Sequence, residues 1–489
     1  MSAFLGAASP WEWLRAADDL WRWGAYAHEI RAYDRADEAT RAAIRQRRVA
    51  SMIEHARSAS AFYREHYRQV APGSIELAAY PPVTRKMLMA RFDDWVTDTR
   101  LKKAELLSFV ADPARIADPW LGKYTVWTSS GTTGVPGVYV QDPDAIAVYT
   151  ALVTSRFELG GDTAALPGSG SGRLAFVAAI DGHFAGIVSW ERQRRLYPPI
   201  ALAARAFSIL QPLPDLVAQL NEWQPDFISS YPTMMTLLAG ERRAGRLAVS
   251  PHGLWCGGEG LAPSDRADIE EAFGCRIVED YGASECMNMA FGCGHGRLHL
   301  NDDWVVLEPV DENHRPVPAG EPSATVLVTN LANRVQPLIR YDLGDSVSLD
   351  TTMCPCGCSR PSLRVEGRGD DMLVLEPVHA ARGARGGGRD AVVRILPLAV
   401  ETVIEEETDI HLFQLTQTAP DILCLRLDAD GEHARASAFR RVKAALSRFL
   451  QQQGAAPVRI ELDPLPPECN PVSGKFRRVR VLPGAHCRS

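Results

Sequence analysis

Residues 128–137 read TSSGTTGVPG, directly after the apolar stretch YTVW at 124–127. Nine of the ten are Gly, Ser, Thr or Pro, and none carries a charge. A strand ending in such a turn gathers backbone N–H groups and hydroxyl donors at one point, the arrangement an anion requires. The same composition marks ordinary surface turns, so the stretch by itself leaves a phosphate cradle and a plain turn both open. No Gly-Lys-Ser/Thr follows to supply a lysine and a magnesium-binding hydroxyl. A phosphate bound here would need its positive charge from elsewhere in the chain.

Working outward, short apolar runs alternate with helical stretches from Tyr124 to about Leu349: RLAFVAAI, FSIL, FISSY, GLWCGGEG, RIVEDYG and ATVLVTNL. This rhythm predicts an α/β sheet whose loops at the strand ends carry the chemistry. The GSGSGR at Gly168 precedes a strand, whereas a dinucleotide fingerprint follows one, so it reads as a linker. Upstream, Trp13, Ala17, Leu20 and Trp21 fall at helical spacing and predict a packing face; Asp18 and Asp19 beside them argue against a membrane-surface helix. More helix is expected through RAAIRQRRVASMIEHARSASAFYREHY, ending before Pro81 and Pro82. Downstream, EPVHAARGARGGGRDA is too rich in Gly, Ala and Arg to build a core. Mixed helix and strand then resume. The expected organisation is a large N-terminal α/β domain, residues 1–369, and a small α+β domain, residues 370–489.

A chain of 489 residues with 46% hydrophobic and 23% charged residues is long enough for two or three folded domains. A net charge of −7 and a pI near 6.0 argue against a nucleic-acid partner. No signal pattern is apparent, and no apolar run approaches the ~20 residues a membrane span needs. The expected location is cytoplasmic, where ten cysteines read as thiols or metal ligands.

Four further stretches carry reactive groups. LWCGGEGL places Gly257, Gly258 and Glu259 after a strand, where backbone can approach a flat ligand closely. EDYGASE offers the Tyr281 ring and the hard oxygens of Glu285, suited to magnesium. LIRYDLGDSV brings Asp345, a carboxylate able to accept from both hydroxyls of a ribose. NPVSGKFRRV holds Lys475 in a loop. Each has an ordinary structural reading: a turn, a buried ring, a cap, a solvated lysine. In this order they resemble the adenylate-forming ligases, the superfamily of acyl-CoA synthetases, adenylation domains and luciferases. SSGTTGVP, GGEGL, YGASE, IRYDLGD and GRGDDML, with SAFYREHY and YPPVTRKML, are most similar to the phenylacetate-CoA ligase family, over residues 45–480.

The resemblance implies that Ser129, Ser130, Gly131, Thr132, Thr133 and Gly134 wrap the phosphates of ATP, with Thr133 and Glu285 sharing magnesium. Gly258 and Glu259 would border adenine and ribose, Tyr281 would stack on the base, and Asp345 would hold the ribose diol. Lys475 would bridge the substrate carboxylate and the α-phosphate, with Arg368 and Arg340 assisting. Asp370 matches the hinge about which the small domain rotates. His183, Phe184, Tyr231, Gly282 and the MNMAFG stretch are candidates for an acid pocket, or ordinary core. The expected product is an acyl-adenylate, made from an aromatic or heteroaromatic acid and passed to CoA. A homodimer is the assembly the resemblance suggests.

FGCGHGRLH and MCPCGCSR cluster Cys293, His295, His299, Cys354, Cys356 and Cys358, a thiolate-rich set that favours zinc over hard cations. His295 competes with His299, and Cys358 with Cys356; buried thiols without metal are the alternative. The resemblance points to a structural site of Cys293, His299, Cys354 and Cys356. One departure touches the acceptor. A glycine-containing turn that follows GRxDDML in that family gives way to residues 377–391, with Arg382, Arg385 and Arg389, and Val392 falls where the glycine would be. A branched side chain there narrows a path for pantetheine. Three readings follow: an acid:CoA ligase, an AMP-forming ligase with a nitrogen nucleophile or carrier-protein thiol as acceptor, and a zinc-stabilised binding protein without catalysis.

Overall fold

The computed structural model describes residues 10–129, 137–156, 172–350, 352–365, 372–378, 392–408, 410, 413–428, 431–468, 477–482 and 485, and for 10–14 and 406–408 the backbone alone. A nine-stranded sheet organises the large N-terminal part. Its parallel half runs Ala204–Ser208, Leu174–Ala178, Phe227–Ser230, Gly253–Cys256, Ile277–Tyr281. Helices connect these strands because a parallel pair needs a crossover. Ala185–Leu196 covers one face, while Leu213–Trp223, Pro232–Arg243 and Pro263–Phe273 cover the other. Strand Leu174–Ala178 leads to the sheet edge on one side, and Phe227–Ser230 lies on its other side. The crevice between their carboxyl ends is therefore a topological switch point, the place where such sheets bind ligands.

The sheet continues antiparallel through Ala290–Gly292, Leu298–Leu300, Ser362–Val365 and Val347–Asp350. The expected α/β class is therefore observed, with a half that the apolar rhythm did not announce. Stretch ATVLVTNL does form a strand, Thr325–Asn330. It belongs to a separate three-stranded antiparallel sheet with Val305–Val310 and Leu338–Asp342. Strand Thr125–Ser129 pairs with Gly137–Gln141 in a hairpin, Ser129 opposite Gly137, so the two ends of segment 130–136 are clamped together.

From Leu373 onward the chain builds a strand pair, Leu373–Leu375 with Val393–Ile395, and a four-stranded sheet of Arg459–Leu462, Ile422–Leu427, Phe413–Ala419 and Val479–Val481. Helices Pro397–Thr408 and Glu432–Gln452 pack on it. Their apolar faces share one buried cluster with helices 213–223 and 232–243, and Gln453 Nε2 donates to the Leu210 carbonyl at 2.6 Å.

The first helix, Pro10–Arg35, corrects one expectation. Ala17 and Leu20 are exposed, and Trp21 is 71% exposed. The packed face is Trp23, Tyr26, Ala27, Ile30 and Tyr33, against helix Pro143–Arg156. Both faces carry apolar residues, but the second stripe keeps helical spacing over three turns. It is fixed at the contact by Trp23 Nε1 donating to Thr154 Oγ1 at 2.8 Å and by the Arg22–Asp144 ion pair at 2.5 Å. No described helix is long and apolar enough to cross a membrane.

Candidate active site

Glu285 organises the site. It lies midway along the 282–289 loop after strand 277–281, is 2% exposed, and its Oε1 accepts from Arg85 Nη2 at 2.7 Å and from the Tyr139 and Tyr341 hydroxyls at 2.8 Å each. Burial alone would push this carboxyl up, but the Arg85 charge, with the Tyr139 and Tyr341 hydroxyls, holds it below the usual carboxylate range. It is an ionised carboxylate whose three bonds share one oxygen. Tyr139 lies on the second strand of the hairpin, so its bond ties that strand to the loop carrying Glu285 across 146 residues. Trp127 Nε1 adds a bond to the Ser284 carbonyl at 2.8 Å. A β-carbon at Gly137 would run into the Tyr139 ring.

Ser129 closes the first hairpin strand, and its buried Oγ has no partner among the described residues. Ser130, Gly131, Thr132, Thr133 and Gly134 lie outside the described residues, as do Arg368, Asp370, Lys475 and the arginines at 382, 385 and 389. Val392 is described and half-buried.

At the switch-point end of the sheet, Tyr231 OH accepts from Ala179 N at 3.4 Å, and burial pushes the phenol up to about 12. Its ring lies under Gly258, which takes a φ of 81°; a β-carbon there would sit 3.2 Å from the ring. Only glycine meets both demands cheaply. Glu259 Oε2 accepts from Thr233 N at 3.1 Å and Thr233 Oγ1 at 2.8 Å, capping helix Pro232–Arg243, whose own N-cap, Tyr231, makes no side-chain bond to the helix end. Tyr281 OH donates to Asp345 Oδ2 at 3.0 Å, joining the base and ribose candidates in one contact. A β-carbon at Gly282 would come 2.9 Å from Asn288 N, so this glycine lets the 281–288 loop fold back on itself.

The DGHFAG stretch joins the same region. Thr128 N donates to the His183 carbonyl at 2.7 Å, and Phe184 bridges to Thr128. The His183 ring is buried, edge-on to Phe109, with Nε2 at 3.0 Å from the Asp112 carbonyl and no described partner for Nδ1. Burial lowers its pKa, so the ring is held neutral. Arg340, expected to assist the lysine, is buried. Its Nε meets Glu308 at 3.1 Å, and Nη1 donates to the Tyr80 carbonyl at 2.6 Å. A buried guanidinium needs such partners.

Four of the metal-ligand candidates come together, with Cys358 at the edge of the group, its thiol in hydrogen-bond reach of His299. Ligand atoms of Cys293, His299, Cys354 and Cys356 all lie within 4.8 Å of one another. Cys293 Sγ is 3.8 Å from Cys354 Sγ, and Cys356 Sγ is 3.3 Å from His299 Nε2. His299 Nδ1 sits 3.4 Å from the Arg360 carbonyl, which turns Nε2 toward the sulfurs. His295 is exposed and outside this group, and the Cys358 N–H donates to Cys356 Sγ at 3.4 Å. Three thiols and an imidazole fit a closed tetrahedral zinc site.

Beneath it lies a knot of charge that sequence reading missed. Asp303, fully buried, accepts from Arg156 Nη1 and Nη2 at 2.8 Å each. Arg360, two residues past Cys358, pairs with Asp34 and Asp302 and approaches Asp303 at 3.5 Å. Arg156 also donates to Asn301 Oδ1 at 2.6 Å, and Asn301 Nδ2 donates to the Asn288 carbonyl at 2.6 Å. The metal-ligand loop is thereby linked to the loop that follows Glu285. Arg85 was missed as well. Its motif, YPPVTRKML, was visible, but nothing local says that it pairs with a residue 200 positions away.

The AMP-binding enzyme family model matches residues 39–323, more than half of the chain. The chain belongs to the AMP-binding enzyme family. Within it, one curated relative is protein CapK of Staphylococcus aureus, 26% identical over 162 residues. That match covers 32% of this chain and 34% of that protein, so the likeness spans only about a third of the relative's length. Among solved structures, a 2-hydroxyisobutyryl-CoA ligase in complex with 2-HIB-AMP and CoA is 22% identical, with a TM-score of 0.57 and 92% and 91% of the two chains covered. The same ligase with R3-HIB-AMP in the postadenylation state gives a TM-score of 0.54 at 21% identity, with 92% and 91% covered. At this identity the likeness concerns the fold.

Proposed function

We propose that this AMP-binding enzyme is an AMP-forming acid ligase that converts a carboxylic acid and Mg-ATP to an acyl-adenylate and then transfers the acyl group to CoA. The observation that carries this reading is the Glu285 cluster: an ionised, enclosed carboxylate bonded to the hairpin that brackets the Gly/Ser/Thr segment. Glu285 with Thr133 would hold magnesium, whose charge offsets that of the phosphates. In adenylation a carboxylate oxygen bonds to the α-phosphorus as the bond to pyrophosphate breaks. Lys475 stabilises the negative charge on that phosphate, and Tyr281 with Asp345 positions the nucleoside. Zinc on Cys293, His299, Cys354 and Cys356 is structural and fixes the loop that carries Arg360. Domain 370–489 rotates about Asp370 to expose a second face for the acceptor. The protein acts in the cytoplasm.

A second reading keeps adenylation and changes the acceptor to a nitrogen nucleophile or a carrier-protein thiol. It is favoured by Val392 and the replaced turn before it. The first reading draws on the 2-hydroxyisobutyryl-CoA ligase of the same fold, captured with an acyl-AMP and CoA. The test is acid-dependent exchange of labelled pyrophosphate into ATP by wild type and Lys475→Ala. A drop of about 10²-fold or more in the variant, with AMP binding retained, is the expected result. Wild-type protein that binds AMP and shows no exchange with any acid would favour a binding protein.

A further inference from the structure

Asp280, next to last on strand Ile277–Tyr281, is a charged group that the adenylation reading leaves without a task. Alternation along the strand separates it from Glu279, which faces helix Pro263–Phe273 and pairs with Arg266 at 2.5 Å. Asp280 therefore projects on the face covered by helix Ala185–Leu196, as does Trp255 on the neighbouring strand. It sits one residue beyond the Cys256–Glu279 register pair, beside Gly257, at the carboxyl end of the parallel strands. A β-carbon at Gly257 would run into its Oδ1. The missing side chain makes room for the carboxylate at the mouth of the cleft.

The partners of this carboxylate are neutral. Oδ1 accepts from Trp255 Nε1 at 2.7 Å, and Oδ2 has only Asn288 Nδ2 at 3.5 Å. No cation lies within ion-pair distance among the described residues. Burial pushes the carboxyl up to about 6, against the Trp255 bond and with the Glu279 charge adding to the rise. The residue keeps partial exposure at the carboxyl end of the parallel strands, where open sheets bind ligands. Anchoring an indole N–H needs only a neutral acceptor, such as an amide oxygen, and an enclosed charge is costly unless it is matched. The match absent from the protein is one a ligand can bring.

We propose that Asp280 is a specificity-determining residue: the acid activated here carries, away from its carboxyl, a hydrogen-bond donor, an ammonium or a hydroxyl group, which Asp280 Oδ2 accepts. This rests on the acid-ligase reading and names the substrate class within it. The acid is thus held at two points, its carboxyl toward the nucleotide and its donor against strand 277–281.

The test is pyrophosphate exchange with matched acids: benzoate, 3- and 4-aminobenzoate, 3- and 4-hydroxybenzoate, and butyrate with its 4-amino and 4-hydroxy derivatives. Wild type is expected to favour a donor-bearing acid over its parent by about tenfold or more in kcat/KM, the worth of one charged hydrogen bond. Asp280→Asn keeps the size and one acceptor oxygen but loses the charge. It should collapse the preference for 4-aminobutyrate, whose amine is charged, and Asp280→Leu should collapse it for the neutral donors, the hydroxy acids and aminobenzoates, too; melting curves and AMP binding verify that both variants fold. Parent acids used as well as their derivatives, with ratios unchanged in both variants, would overturn the inference and leave the acid ligase standing. Exchange with no acid at all, in protein that binds AMP, would overturn the acid-ligase reading and this inference with it.

Discussion

Asp303, fully buried, and Asp280, half-buried at the strand ends, lie in the same large domain, and the charges around them differ. Burial would push both up. Around Asp303 the charges of Arg156, Arg360 and Arg48 overcome it and hold the carboxyl below its usual range. Around Asp280 an indole and an amide do not, and it rises to about 6. Compensated charge fixes the scaffold: the knot joins helices 10–35, 38–59 and 143–156 to the metal-ligand loop. At the strand ends, where open sheets bind ligands, the charge has no cation beside it among the described residues.

Four experiments can break or sharpen this contrast. The largest effect is expected from Asp303→Asn, which strands Arg156 and Arg360 in the interior. It should cost about 3–5 kcal/mol, read from the urea midpoint. Because the folded pKa of Asp303 is depressed, its contribution is complete above the ordinary carboxylate value of 3.8 and is lost as pH falls through the lower folded value. A loss under about 1 kcal/mol would mean that the knot is not holding the scaffold.

Next comes removal of zinc by a chelator. The expected destabilisation is about 3 kcal/mol, the linkage for a metal held at a hundredfold above its dissociation constant, and it should be restored by zinc and absent in Cys354→Ser. Elemental analysis of the purified protein checks the premise. Gly257→Ala follows, at about 1–3 kcal/mol, because its methyl group must displace the Asp280 carboxylate. If its melting curve equals wild type, Asp280 has room to move and is not held at the cleft mouth.

The smallest stability effect, with the opposite sign, belongs to Asp280→Asn. The folded pKa of Asp280 is raised, so its favourable contribution is complete below 3.8 and lost as pH rises through about 6. The variant should therefore match or exceed wild type above pH about 6, the region where Asp303→Asn is least stable relative to wild type. A pH series of melting curves for both variants separates the two carboxylates; parallel profiles would erase the distinction.

The parallel strands were legible because each is a short apolar run ending in glycine or a polar turn. Sequence reading named Glu285 but not the Arg85, Tyr139 and Tyr341 that hold it, since those pairings span 56 to 200 residues and carry no local signature. The exposed Trp21 was placed on the wrong face because two apolar stripes share the first helix, and only packing chooses between them. Asp280 stood in full view within EDYGASE. Its meaning lies in which neighbours are uncharged, and one strand's sequence does not contain them.

The most direct measurement is mass spectrometry of the products formed from Mg-ATP and an amino- or hydroxy-substituted aromatic acid, with and without CoA. The account predicts acyl-AMP without CoA and acyl-CoA with it. Acyl-AMP that persists unchanged in CoA would move the acceptor to an amine or a carrier thiol. ATP left intact with every acid would contradict the central claim of acid activation.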